Sequence, residues 1–101
     1  MDTKTLIADT KARFSHNAAK AHLKDKYQSK LIVAEQGGLW TANLETISFL
    51  RSQREDFVVL IDSFTNPVKV DREALATKLE TIYHQEMSAW YTEWTELEKK
   101  R

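Results

Sequence analysis

The stretch Phe57-Val58-Val59-Leu60-Ile61-Asp62-Ser63-Phe64-Thr65-Asn66-Pro67-Val68-Lys69-Val70-Asp71 decides how the chain folds. Five apolar β-formers in a row, closed by Asp62, predict a strand. Asn66-Pro67 marks a turn, and Val68 and Val70 alternating with Lys69 predict a half-buried return strand. From Asp71 the apolar spacing becomes helical. Upstream, Lys30-Leu31-Ile32-Val33-Ala34-Glu35-Gln36 reads as a buried strand. Gly37-Gly38 supplies the positive-φ residues of a tight turn, and Leu39-Trp40-Thr41-Ala42 returns. Leu44 to Arg54 fits two readings: Leu44-x-x-Ile47-x-x-Leu50 suits a helical turn and Ile47-x-Phe49 suits a strand, the strand being preferred. Gln53-Arg54-Glu55-Asp56 then forms a polar turn.

Helices are expected on both sides of this block. The first is capped by Asp2 or Thr3, runs to about Tyr27, and carries a thin apolar stripe of Leu6, Ile7, Phe14, Ala18, Ala21 and Tyr27. So thin a stripe suits a helix that covers a sheet. The last begins at Asp71-Arg72-Glu73, with acids at its positive end, and closes on Lys99-Lys100-Arg101, with cations at its negative end. Its seam of Leu75, Leu79, Ile82/Tyr83, Met87, Trp90, Trp94 and Leu97 recurs every three or four residues. A helix of this length reaches roughly 40 Å, so it overhangs a compact domain. The exposed part of its seam, Met87, Trp90, Trp94 and Leu97, is the candidate oligomer or partner interface.

At 101 residues the chain is long enough for one domain with one core. Fifteen basic and fifteen acidic side chains cancel, so no global field attracts nucleic acid or an acidic membrane. The balance hides an asymmetry. Residues 1–30 hold Lys4, Lys11, Arg13, Lys20, Lys24, Lys26 and Lys30 against Asp2, Asp9 and Asp25, a surplus of four that the remainder reverses. The absence of cysteine excludes disulfides, thiolate metal sites and thiol nucleophiles, and fits a cytoplasmic location. No run approaches the ~18 apolar residues of a membrane span, and the N-terminus lacks the apolar core of a signal peptide.

Chemistry-bearing patterns are sparse. His16 and His22 fall on different faces of a helix, and His84 has Glu80 as its close carboxylate, so no metal-ligand spacing is met. No nucleophile elbow or triad order is present. No enzyme activity, metal, cofactor or small-molecule substrate is expected. Trp90, Tyr91 and Trp94 could stack bases, but Glu86, Glu93, Glu96 and Glu98 surround them and repel phosphate. The basic first helix is the one plausible phosphate-binding surface.

The order strand, Gly turn, strand, strand, the Phe57 block and its return, after an N-terminal helix, resembles the Sm/LSm family of small bent barrels. Val58-Val59-Leu60-Ile61-Asp62 followed by Val68-Lys69-Val70 resembles the second Sm motif, and Asn43-Leu44 the end of the first. The chain also resembles a family of small proteins from cyanophages and marine metagenomes with an Sm-like barrel. That likeness rests on Gly37-Gly38-Leu39-Trp40, Asn66-Pro67-Val68-Lys69-Val70 and Trp90-Tyr91-x-x-Trp94-x-x-Leu97-Glu98-Lys99-Lys100-Arg101. Ile61-Asp62 stands where Sm proteins carry an Arg-Gly that lines an RNA pore.

The resemblance implies a mainly β, Sm-like, strongly bent antiparallel barrel over residues 30–71, an N-terminal helix over 1–27 and a long C-terminal helix over 72–100. It implies a phage-encoded, non-enzymatic protein of the infected host's cytoplasm, joined through open strand edges into a homo-oligomeric ring, pentamer to heptamer. Weak RNA binding through Asn43, with Lys20 and Lys24 of the first helix, completes this expectation. The alternative is a phage assembly or adaptor protein that binds another protein through the ring or the last helix, without nucleic acid.

Overall fold

The structure, a computed structural model, describes the backbone of residues 3–100; the side chains of residues 3–6, 8 and 9 are not described. Asp2, one of the two expected caps, and the Leu6 side chain therefore lie outside the described residues. The order of elements is α1 (Thr3–Lys30), β1 (Ile32–Glu35), β2 (Gly38–Thr41), α2 (Leu44–Ser52), β3 (Phe57–Ile61), β4 (Pro67–Asp71) and α3 (Arg72–Lys99).

Three helices hold most of the chain, and the strands form two separate antiparallel pairs, β1 with β2 and β3 with β4. This corrects the Sm-like expectation: the protein is mainly helical α+β, and residues 30–71 form no barrel. The cause lies at Leu44, where the strand reading fails and the helical one holds. Asn43 caps α2, its Oδ1 accepting the Thr46 N–H at 2.8 Å. The period then buries Ile47 and Leu50 on one side and leaves Phe49 outside. With a helix in the place of the middle strand, the two hairpins have nothing to join them into one sheet.

The first hairpin pairs Ile32 with Thr41 and Glu35 with Gly38. Its two turn residues are Gln36 and Gly37, with φ of 50° and 79°, rather than Gly37 and Gly38. Gly38 is a glycine for another reason. A Cβ there would lie 2.5 Å from Cζ2 of Trp40, whose indole is buried and donates to the Glu35 carbonyl at 2.8 Å. The second hairpin turns one step earlier than Asn66-Pro67 suggests. Pro67 already belongs to β4, opposite Ile61, and Thr65 has the left-handed φ of 66°.

Asp62 organises this turn and joins the hairpins. Oδ1 accepts the N–H groups of Phe64 (3.0 Å) and Asn66 (2.9 Å), and Oδ2 accepts the Leu39 N–H of β2 (3.1 Å). The Ser63 N–H in turn donates to the Leu39 carbonyl at 2.8 Å. At the far end, the Gln36 amide mimics a strand: Oε1 accepts the Asp71 N–H at 2.7 Å and Nε2 donates to the Asp71 carbonyl at 3.2 Å.

The core lies between the hairpins, α2 and the first half of α3, where Leu50, Val70, Leu75 and Leu79 are fully enclosed. Two arginines lock these elements. Arg72, just after the Asp71 cap, donates to the Glu55 and Leu50 carbonyls at 2.8 and 3.1 Å, the latter near the C-terminus of α2. Arg51 forks onto Glu80 (2.7 and 3.1 Å) and reaches Glu73 at 2.8 Å.

α1 covers no sheet. It runs antiparallel to the second half of α3, with Tyr27 stacked on Trp90 (centroids 6.0 Å apart), Lys26 on Glu93 at 2.8 Å and His16 on Glu98 at 3.0 Å. Its inward positions are His16, Ala19, Leu23 and Tyr27, whereas Ile7, Phe14, Ala18 and Ala21 of the expected stripe are exposed. The molecule is a small head on a two-helix stalk, 66 × 24 × 19 Å.

Candidate functional site

The exposed surface with the clearest chemistry is β3. In the second hairpin, the Asp62 N–H donates to the Asn66 carbonyl at 2.9 Å and the Arg72 N–H to the Asp56 carbonyl at 3.0 Å. Antiparallel pairing alternates, so Val58 and Leu60 are the β3 residues whose backbone groups are bonded to β4. The N–H and C=O groups of Phe57, Val59 and Ile61 point the other way. Among the described elements, β4 alone runs alongside β3, and the far edge of the strand is bare.

The side chains follow the same alternation. Val58 and Leu60 pack inward against the core. Phe57, Val59 and Ile61 face outward, 58%, 61% and 63% exposed, beside Pro67 of β4. Lys69 partly shields them, its ammonium 5.7 Å from the Phe57 ring centre. The pattern is apolar on both faces although a single face is covered.

A cleft of about 400 Å³ opens at the end of this edge, between Leu39 and Thr41 of β2, Thr46 and Phe49 of α2, and Leu60 and Ile61 of β3. Its charged lining residues are Glu45 and Asp62. The Asp62 carboxylate is occupied by its three backbone donors. Those bonds, Asn66 foremost, hold its pKa below the ordinary 3.8, against the opposing effect of burial. It stays charged at neutral pH as a structural anion, not a free one.

The other edges are blunted to differing degrees. On the outer side of β4, Pro67 has no N–H to give and Asp71 is satisfied by Gln36. On β2, Leu39 is satisfied by Asp62 and Ser63. β1 keeps a shorter bare edge at Ile32 and Ala34, because the Ala42 N–H bond to the Leu31 carbonyl puts the odd-numbered residues of β1 against β2.

The residues singled out from sequence fall in separate places. Asn43 lines the cleft, with its side chain engaged in capping α2. Lys20 and Lys24 sit one turn apart on α1, Lys20 3.9 Å from Glu98 and Lys24 exposed without an ion pair among the described residues. Neither lysine lines the cleft that holds Asn43. Trp90 and Leu97 face α1, and Met87 packs on the core cluster. Trp94 is 39% exposed and stacks on the exposed Tyr91.

The outward face of β3 was missed by the sequence reading, although a signal existed: a run of five apolar residues without alternation has more apolar faces than a lone hairpin can bury. Among the described residues, no three His, Asp or Glu side chains gather closely enough to hold a metal ion. No helix of the described residues is long and apolar enough to cross a membrane. Compared with known proteins, the chain matches no family model, no curated protein and no solved structure.

Proposed function

We propose that the protein is a non-enzymatic assembly or adaptor module that acts by docking another polypeptide along β3. The observation that carries this reading is the bare edge of Phe57, Val59 and Ile61 with their apolar side chains beside it. An exposed, apolar strand edge offers main-chain hydrogen bonds for affinity and alternate side chains for selectivity, which is how sheets recruit an added strand. Long apolar edges left bare are a hazard for a monomer, and here the outer edges of β2 and β4 are blunted while β3 is open. Phosphate binding has less support. Lys26 is engaged by Glu93 and Lys20 lies near Glu98, so the positive charge of α1 is partly neutralised where α1 meets α3.

Val59→Lys tests the reading, because it places a charge on the exposed face without touching the core. Binding to a library of displayed extended peptides, and self-association read by light scattering, should both respond to it. A gel shift with single-stranded RNA and DNA on the same preparation should not. If Val59→Lys changes neither kind of association while a nucleic-acid shift depends on Lys20 and Lys24, the reading fails.

A further inference from the structure

The partner of β3 can be narrowed further, on the strength of the docking reading above. We propose that the edge takes a second copy of the same strand, antiparallel, about a two-fold axis through Val59. The backbone groups that face outward belong to Phe57, Val59 and Ile61, three residues symmetric about Val59. In that register Val59 pairs with its own copy and Phe57 with Ile61, twice, so every bare N–H and C=O of the edge finds a partner and none is left over.

The side chains match under the same operation. Phe57 lies across from Ile61 on the outer face and Val58 across from Leu60 on the inner one, aromatic on β-branched and apolar on apolar. The flanks limit sliding. Glu55, next on the open side, has its carbonyl taken by the Arg72 guanidinium at 2.8 Å, and Ser63 gives its N–H to Leu39, so the free edge is five residues long and a shift by two would strand bare groups at both ends. The cleft between β2, α2 and β3 lies at the Ile61 end, where the chain preceding Phe57 of the second copy would pass beside Phe49.

A head-to-tail arrangement requires two different open edges. On the outer side of β4, Lys69 stands open between Pro67, which has no N–H, and Asp71, held by Gln36, and on that of β2 Leu39 is taken by Asp62 and Ser63. β1 offers Ile32 and Ala34, two residues against three. The isologous pairing is the better matched one and closes as a dimer. Edge pairing covers the bare backbone and the flanks of Phe57, Val59 and Ile61 while their outward faces stay in solvent, so the contact belongs with small, weak interfaces. The formal charge of zero adds no net repulsion. A weak dimer follows.

The chain has no cysteine, so single substitutions report the geometry cleanly. Paired Val59 Cα atoms would stand ~5.5 Å apart, within disulfide reach. Under mild oxidation Val59→Cys should convert almost wholly to a covalent dimer. Phe57→Cys alone should not, since its copy lies four residues along the strand, roughly 13 Å away. A mixture of Phe57→Cys and Ile61→Cys should give the mixed disulfide. Wild type should sediment at twice the monomer mass at roughly 100 µM, and Val59→Lys as a monomer with unchanged circular dichroism. A monomeric wild type that still binds displayed peptides through β3 overturns the dimer and spares the docking reading. Species larger than a dimer, with cross-linking through Ile32→Cys in place of Val59→Cys, would assign the contact to β1 and overturn it equally.

Discussion

Gly37 and Gly38 are adjacent and serve different needs. Gly37 has φ of 79° with open space where a Cβ would go, so Gly37→Ala costs the left-handed backbone alone, about 1–2 kcal/mol. Gly38→Ala instead drives a Cβ into the buried Trp40 ring and should cost about 1–3 kcal/mol as the indole is displaced. Urea unfolding of both variants checks this, with loss of Trp40 near-ultraviolet dichroism specific to Gly38→Ala. Asp62 supplies a second residue-scale test. Its pKa is depressed by the Asn66, Leu39 and Phe64 N–H groups, so the unfolded chain binds its proton more readily than the folded one. The stability it provides is present above the ordinary carboxylate range and is lost as pH falls below about 4. Glu80, held low by Arg51, and Glu93, held low by Lys26, act in the same direction. Melting temperature should therefore be flat near neutrality and fall below pH ~4. In Asp62→Asn it should start lower and fall less.

Among the elements, α2 is where sequence reading and structure part. Its apolar spacing fits a helix and a strand, and the strand, preferred from the sequence, is the wrong one. The deciding interactions are the Asn43 cap and the burial of Ile47 and Leu50 against α3. Asn43→Ala should cost about 1 kcal/mol of stability through the lost cap. Leu50→Ala, which empties a fully enclosed site, should cost about 2–5 kcal/mol. Chemical denaturation of the pair measures both. An Asn43→Ala variant as stable as wild type would show that the cap does not hold α2 in place. The ends of α3 were legible for a different reason: Asp71 and the Lys99–Lys100 end match the helix dipole locally, whatever lies around them.

At the scale of the molecule, the extended shape is itself a prediction. The radius of gyration over Cα atoms is 19.3 Å, against about 13 Å for a compact chain of 100 residues. X-ray scattering on the monomeric Val59→Lys variant should return a value near the larger figure. A value near 13 Å would mean that the stalk of α1 and α3 is absent. Leu23→Ala, in the buried seam between these helices, should cost about 2–5 kcal/mol if the stalk and head unfold together.

The sequence by itself determined what depends on neighbours along the chain. It marked the positions of the four strands, the two hairpins, both long helices and the cap at Asp71, because turn chemistry, period and dipole act within a few residues. The long helix α3 was legible as one that overhangs, and the lysine surplus of α1 as a charged face. The tertiary structure alone decided which faces meet. α1 lies on α3 through His16, Leu23 and Tyr27 because Trp90 and Leu97 leave an apolar strip there that its own thin stripe did not disclose. β3 is left bare along one edge because α2, a helix where a strand was expected, cannot hydrogen-bond to it. Burial and edge pairing are properties of surfaces brought together from distant parts of the chain, and residue order specifies them through the free energy of the whole packing rather than through any local pattern.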